Sequence, residues 1–132
     1  MRLLVCGGRN YANRAKAFKA LDKVDAKHGI DEILQGGAQG ADNLAHEWAM
    51  ARERVSIAVP AQWEQHGKRA GPIRNQRMLD EFKPNACVAF VGTRGTQDMC
   101  RRCQNANVPI WYVSEQVNTQ SNKEEESGTA PE

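Results

Sequence analysis

No apolar run in the 132-residue sequence approaches the roughly 20 residues that a membrane-spanning helix needs. Residues 1–8 hold too few apolar side chains for a secretory signal and run directly into two glycines. We therefore expect a cytoplasmic protein that does not associate with a membrane. A hydrophobic content of 40% is still sufficient for one globular domain with one core.

Motifs of well-known nucleotide chemistry are also missing. The sequence contains neither GxGxxG nor GxxxxGK[ST], which argues against ATP hydrolysis of the P-loop kind. Serine is scarce, and no nucleophile–base pair or pair of carboxylates for glycosyl chemistry stands out. The residues alone assign no catalytic group, and they favour a protein that is not an enzyme.

The four cysteines do not form a recognisable metal motif. Cys6 and Cys87 lie in apolar, strand-like runs and are expected to be buried thiols. Cys100 and Cys103 have CxxC spacing, but they fall inside a helical pattern, and no second CxxC or histidine pair completes a zinc site. We predict no metal and no cofactor.

Charge is distributed unevenly along the chain. The net charge is +2, but segment 114–132 holds five glutamates and one lysine, which leaves +6 on residues 1–113. A basic body suits an anionic ligand. It lacks the dense basic stripe of a duplex-DNA binder, so nucleic acid is not the expected partner.

Apolar runs alternate with helical patterns throughout residues 1–113. Strands are predicted at 2–6, 30–35, 55–59, 86–91 and 109–113, and helices at 13–28, after Gly40, from Pro72 to Phe82, and at 96–106; residues 61–71 are predicted to form a polar loop. This alternation predicts a single α/β, Rossmann-like domain, with a mainly parallel sheet of about five strands and helices on both faces. The polar, acidic segment 114–132 is predicted to be disordered.

A glycine-rich turn after the second predicted strand is the most informative segment. Gly36, Gly37 and Gly40 precede the start of a helix, where a ligand can approach the backbone and free N–H groups favour an anion. A tight turn without a ligand is an equally good interpretation of this turn alone. Asp42 follows in the first helical turn, where it either stabilises the helix dipole or accepts hydrogen bonds from ribose hydroxyls.

Three further turns fall at the same edge of a parallel sheet. Gly8 and Arg9 follow the first strand, the polar loop follows the third, and Thr96 ends the turn after the fourth. Arg74 and Asn75 are expected near a helix N-terminus, where Arg74 could hold a phosphate and Asn75 a base or sugar. Trp63 either stacks on a base or belongs to the core, and a solvated His46 is expected.

These motifs together resemble one family. Val5–Arg9, Gln35–Asp42, Ala70–Met78 and Gly95–Met99 are similar in type and order to the YspA/YpsA-related branch of the SLOG superfamily. The resemblance implies a Rossmann-like protein that binds a nucleotide or nucleotide-derived signal, with members in bacteria and phages, some in conflict systems, and frequent homo-oligomers. It implies a pocket lined by nine residues: Gly8, Arg9, Gly36, Gly37, Gly40, Asp42, Arg74, Asn75 and Thr96.

Two alternative functions come from related branches. The LOG-type phosphoribohydrolases, which split nucleoside monophosphates, share the signature PGGxGTxxE. Here Gln35 replaces the proline, the loop is one residue longer, and Leu44 stands at the glutamate spacing, so only Asp42 could supply a catalytic carboxylate. The related DprA proteins suggest single-stranded nucleic-acid binding, which the modest charge disfavours.

Overall fold

Five short strands form one parallel sheet in the computed structural model, which describes residues 1–114. The strands are β1 (Arg2–Cys6), β2 (Glu32–Gln35), β3 (Val55–Ala58), β4 (Ala86–Ala89) and β5 (Ile110–Tyr112). Their order across the sheet is β3-β2-β1-β4-β5, and every neighbouring pair is parallel. The predicted α/β fold class is confirmed. The predicted acidic tail lies outside the described residues from 115 onward and stays a prediction.

Helices connect the strands in the order that the periodicity predicts. They are α1 (Arg14–His28), α2 (Ala41–Ala51), α3 (Trp63–His66), α4 (Ala70–Arg77) and α5 (Arg94–Asn105), and α4 continues as a π-helical segment, Met78–Phe82. The Asn13 side chain caps α1 by accepting a hydrogen bond from the Lys16 N–H at 3.1 Å. None of the helices in this part of the chain is both long and apolar enough to cross a membrane.

One element was predicted wrongly. Residues 61–71 do not form a loop, because they contain α3, a 3₁₀ turn at Gly67–Arg69 and the first residues of α4. Helix α4 therefore begins at Ala70, two residues before Pro72. Polar composition indicated a loop, but these side chains are the exposed face of short helical turns, whose pattern is too short to show a period.

The core has two halves, one on each face of the sheet. Leu3 and Val5 of β1 pack with α1 and α2 in one apolar cluster, whereas Leu4 packs with α5 and the end of α4 in the other. This alternation within a single strand follows from its period of two. Trp48 of α2 is fully buried, and its Nε1 donates to Asp22 Oδ1 at 2.8 Å. Both faces are covered, as the nearly continuous apolar strands predict.

The strand order places the site. The chain moves outward from β1 through β2 to β3, and then crosses back to β4 and β5 on the other side of β1. The connections leaving β1 and β4 therefore run in opposite directions and open a crevice at the carboxyl ends of these strands. In open α/β sheets, this switch point is where ligands bind.

Candidate functional site

A cavity of about 930 Å³ occupies the switch point. Its walls come from the turns after β1, β2 and β4, from the short helical turns after β3, from α4, and from the first residues of α5. The cavity lies within the range of small-molecule sites in proteins, which is about 300–1,000 Å³. Four of the segments that form the walls were predicted to converge on one edge, and the structure brings them together.

Seven of the nine predicted pocket residues line this cavity: Gly8, Arg9, Gly36, Asp42, Arg74, Asn75 and Thr96. Gly37 and Gly40 do not. Gly37 lies beside Ala58 and Pro60, and Gly40 lies against the backbone of Gly8 and Arg9. Both glycines shape the turn, and a direct ligand contact for either of them stays a prediction.

Gly36 lies directly against the two charged groups at the floor of the cavity, Arg74 and Asp42. A methyl group at this position would lie 2.5 Å from Arg74 Nη1 and 2.9 Å from Asp42 Oδ2. Contacts this short do not occur in folded proteins, so the absence of a side chain is what lets both groups approach the backbone. The glycine here makes room for protein side chains rather than for a ligand alone.

Arg74 is oriented by the protein before any ligand arrives. Its Nη1 donates to the carbonyl oxygens of Gly36 at 2.9 Å and Val59 at 3.0 Å, and its Nε donates to Asn75 Oδ1 at 3.0 Å. The expectation that Arg74 lies near a helix N-terminus was wrong, because α4 starts earlier and Arg74 belongs to its last turn. Three acceptors, and not a conflict with the helix dipole, fix the guanidinium. Its Nη2 has no acceptor among residues 1–114 and can serve a ligand.

Asp42 is a buried carboxylate beside this guanidinium. It is 8% exposed, and its Oδ2 accepts a hydrogen bond from the Ala38 N–H at 3.2 Å. Burial raises the pKa of Asp42 to about 6, although the Ala38 N–H and the Arg74 charge oppose the shift. Carboxylates with raised pKa values concentrate at functional sites, so Asp42 is the strongest single candidate for contact with a ligand.

Asn75 lines the cavity and also holds α4 to α5. Its Nδ2 donates to Asp98 Oδ2 at 3.0 Å and to the Gly95 carbonyl at 3.4 Å. Asp98 also accepts from Arg102 at 2.8 Å. The predicted contact of Asn75 with a base or sugar stays a prediction. The structure adds a second role, which is to fix the start of α5 at the edge of the cavity.

Most N–H groups of the glycine-rich turn already have acceptors. Gly37 N donates to Gln35 Oε1 at 2.6 Å, and Ala41 N donates to the Gly8 carbonyl at 3.1 Å. By contrast, α5 begins inside the cavity with Thr93–Gln97 lining it, and no side chain of residues 1–114 caps that helix. Uncapped N–H groups at a helix start favour an anion. The turn after β4 is thus better placed to contact a phosphate than the turn after β2.

Unpaired cations surround the mouth of the cavity. Arg9, Lys68 and Arg94 line it, and none of them forms an ion pair with a carboxylate within residues 1–114. Arg101 also lines it but is paired with Asp98 at 2.9 Å. The cavity therefore carries an excess of positive charge that its own acids do not neutralise.

An exposed aromatic ring stands at the same mouth. Trp63 is 48% exposed and lines the cavity, so it does not belong to the core. The Arg9 guanidinium lies 5.8 Å from the centre of its ring, at the outer limit of a cation–π contact. His46 is exposed, as predicted, and its Nδ1 lies 2.9 Å from Ser56 Oγ.

All four cysteines meet at one side of the cavity, which Cys6 lines, and the sequence did not indicate this cluster. The sulfur atoms of Cys6 and Cys87 are 3.8 Å apart, Cys100 contacts Cys6, and Cys103 contacts Cys87. The neighbouring thiols and burial raise the pKa of Cys87 well above its usual value, so it stays protonated. Within the described part of the chain, no group of three or more Cys, His, Asp or Glu side chains is placed to hold a metal ion. The parallel register of β1 with β4 was the only signal that could have placed Cys6 near Cys87.

Fold and site together define a Rossmann-like protein with a ligand-sized, positively charged pocket at its switch point. The model of the YspA, cpYpsA-related SLOG family matches residues 1–66. The Gene 61 protein of Mycobacterium phage D29 is 34% identical over an alignment of 118 residues that covers 83% of this chain and 93% of that protein. The chain belongs to this SLOG family, which confirms the resemblance. Membership indicates binding or processing of a nucleotide-related ligand.

Solved structures agree on the fold. DNA processing protein A (DprA) from Streptococcus pneumoniae has a TM-score of 0.62 at 18% identity, covering 88% of this chain and 51% of that one. UDP-GlcNAc 2-epimerase from Neisseria meningitidis, bound to UDP-GlcNAc, has a TM-score of 0.54 at 13% identity, covering 98% of this chain and 37% of that one. The chain thus spans about half of the DprA chain, and at these identities the likeness concerns the fold alone.

Proposed function

We propose that this protein binds a nucleotide or nucleotide-derived signalling ligand, such as an ADP-ribose or cyclic nucleotide species, and senses or sequesters it. The observation that carries the proposal is the excess of cations around the cavity. Arg9, Lys68 and Arg94 have no acidic partner among the described residues, and Arg74 is fixed at the floor. Such a pocket favours a ligand with more than one negative charge.

The polar groups divide between the parts of a nucleotide. The start of α5 offers N–H groups and the Thr96 hydroxyl, and together with Arg74 Nη2 these would hold phosphate. The Asp42 carboxylate would accept hydrogen bonds from ribose hydroxyls, since a carboxylate directly against a phosphate would be repelled.

The charge of the cavity mouth can be tested with two neighbouring residues. Lys68 and Arg69 lie in the same 3₁₀ turn and are both exposed, but only Lys68 lines the cavity. Lys68→Glu is expected to weaken ADP-ribose binding by roughly tenfold or more, because it reverses a charge close to phosphate. Calorimetric titration at low salt measures the change.

Arg69→Glu is the matched control, since it makes the same charge change outside the cavity. It is expected to weaken binding by no more than a few fold, because solvent and salt screen the longer distance. Equal losses in the two variants would mean that only net charge matters and that the cavity is not the binding site.

A second candidate function rests on Asp42. A buried carboxyl with a pKa of about 6 is suited to donating or accepting a proton near neutral pH. The alternative is therefore an enzyme that cleaves the N-glycosidic bond of a nucleotide. Incubation of the pure protein with a panel of nucleotides, followed by chromatography, distinguishes the two proposals. Release of free base or ribose phosphate would favour the hydrolase and contradict binding without turnover.

The oligomeric state, the location and the biological role of the protein form a further set of predictions. A homo-oligomer, a cytoplasmic location and a role in a phage or bacterial conflict system stay predictions. Single-stranded nucleic-acid binding is the least favoured function, and a steep fall of affinity with salt would reveal it. Native mass spectrometry of protein purified from cells would detect both a co-purified small molecule and the number of subunits.

A further inference from the structure

We propose that Trp63 and Arg9 form the base-recognition end of the pocket, where a planar heteroaromatic base stacks on the indole ring. The inference deepens the proposed function and rests on it. The two residues come from separate parts of the fold, the turn after β1 and the start of α3, and meet across the cavity mouth at 5.8 Å.

Trp63 is far more exposed to solvent than the other two tryptophans. The chain has three tryptophans, and Trp48 and Trp111 are 0% and 3% exposed, whereas Trp63 is 48% exposed. A large aromatic ring left half in water, inside a cavity and among unpaired cations, is a feature of recognition sites more than of cores. Its exposed face is available to a ligand.

The edge of this ring lies near the backbone of α4. A Cβ atom at Gly71 would lie 3.5 Å from Trp63 Cη2, which is ordinary van der Waals contact. The ring therefore rests beside the first turn of α4, the same helix that carries Arg74 at the floor of the cavity. A base on Trp63 and a phosphate near Arg74 would therefore be held by two consecutive helices, α3 and α4.

The spacing between Arg9 and Trp63 is close to, but less than, what a stacked planar group needs. A base between guanidinium and ring needs about 7 Å, twice the contact distance of roughly 3.5 Å between carbon atoms. The observed 5.8 Å is only slightly less, so a small movement of the exposed Arg9 side chain would admit a base between the two. Bases in proteins stack on aromatic rings and on arginine planes alike.

The experiment compares three probes: ADP-ribose, ribose 5-phosphate and adenosine. In the native protein, ADP-ribose should protect the accessible tryptophan from acrylamide quenching, adenosine should do so at higher concentration, and ribose 5-phosphate should not. Fluorescence reports on the proposed contact because the other two tryptophans are buried.

Two variants identify the groups. Trp63→Leu is expected to weaken ADP-ribose binding by about 10- to 100-fold and to leave ribose 5-phosphate binding unchanged, since stacking is lost and phosphate contacts remain. Arg9→Lys keeps the charge but removes the planar group, so it should weaken ADP-ribose binding more than ribose 5-phosphate binding. Trp63→Phe should recover most of the affinity.

The possible failures are distinct. If Trp63→Leu weakens both phosphate-containing probes equally, or neither, Trp63 does not recognise the base, while binding by the native protein keeps the proposed function. If the native protein binds none of the three probes, the proposed function and this inference are both overturned.

Discussion

Gly40→Ala is expected to destabilise the protein by roughly 3–5 kcal/mol. Gly40 has φ +74° and ψ −127°, a backbone conformation that residues with a Cβ avoid. A Cβ there would overlap the carbonyl oxygen of Gly8 and lie 2.5 Å from that of Arg9. Backbone strain and overpacking each cost about 1–3 kcal/mol, and both apply here. Urea unfolding of both proteins measures the difference.

The strain at Gly40 would act where the start of α2 contacts the turn after β1, which lines the pocket. Ala41 N donates to the Gly8 carbonyl at 3.1 Å, which joins the start of α2 to the turn after β1. Displacement of that turn would carry Arg9 away from its position at the cavity mouth. We therefore expect the variant to lose ligand affinity even under conditions in which it remains folded.

Gly29→Ala separates strain from steric overlap. Gly29 also has a positive φ, +76°, but a Cβ there would meet no atom of the described residues within 4 Å. Its replacement is expected to cost only about 1–2 kcal/mol, from the backbone conformation alone. Similar losses in the two variants would show that the close approach of Gly40 to the β1 turn contributes little.

Asp42→Asn is expected to stabilise the protein at alkaline pH and to impair its function. Burial raises the pKa of Asp42 from its usual 3.8 to about 6 in the folded state. Ionisation of Asp42 is therefore less favourable in the folded state than in the unfolded chain, and it lowers the free energy of unfolding. At 1.36 kcal/mol per pKa unit, the penalty is about 3 kcal/mol once the carboxyl is ionised in both states.

The contribution of Asp42 to the free energy of unfolding depends on pH. With a folded-state pKa above the unfolded one, the favourable contribution of Asp42 is complete below about pH 4 and is lost as pH rises through 6. Asparagine resembles the protonated form and can still accept the Ala38 N–H. The free energy of unfolding of the variant should therefore exceed that of the native protein by up to about 3 kcal/mol at pH 8, and the two should converge near pH 4.

Asp22→Asn provides the opposite control. Its hydrogen bond with Arg52, together with that from Trp48, lowers the pKa of Asp22. Removing that charge should destabilise the protein at neutral pH, with the effect fading as pH falls below the usual pKa of an aspartate. If Asp42→Asn behaves like Asp22→Asn, the Asp42 carboxylate is stabilised in the fold and is not held there at a cost for function.

Ligand binding completes the test of Asp42. If its carboxylate holds ribose hydroxyls, the stabilised variant should bind ADP-ribose more weakly, which is the usual conflict between stability and function at a binding site. If the protein is a hydrolase, the variant should lose product formation and keep its affinity. These two results distinguish the candidate functions with one substitution.

The sequence by itself determined the alternation of strands and helices and the edge of the sheet where the site lies. Apolar periodicity and glycine turns are local features, because they follow from the period of each element and from backbone sterics. They were enough to place Gly36, Asp42 and Thr96 at one edge. Polar composition misled at residues 61–71, where short helical turns expose most of their side chains.

Only the tertiary structure decided which groups face one another. Asp42 acquires its raised pKa because folding buries it, and the charge of Arg74, which is distant in sequence, opposes that shift only in part. Trp63 lies near Arg9 because α3 and the turn after β1 border the same cavity, and the Cys6 and Cys87 thiols meet because β1 pairs with β4. Such pairs depend on how whole elements pack, and packing is set by long-range contacts that no local pattern encodes.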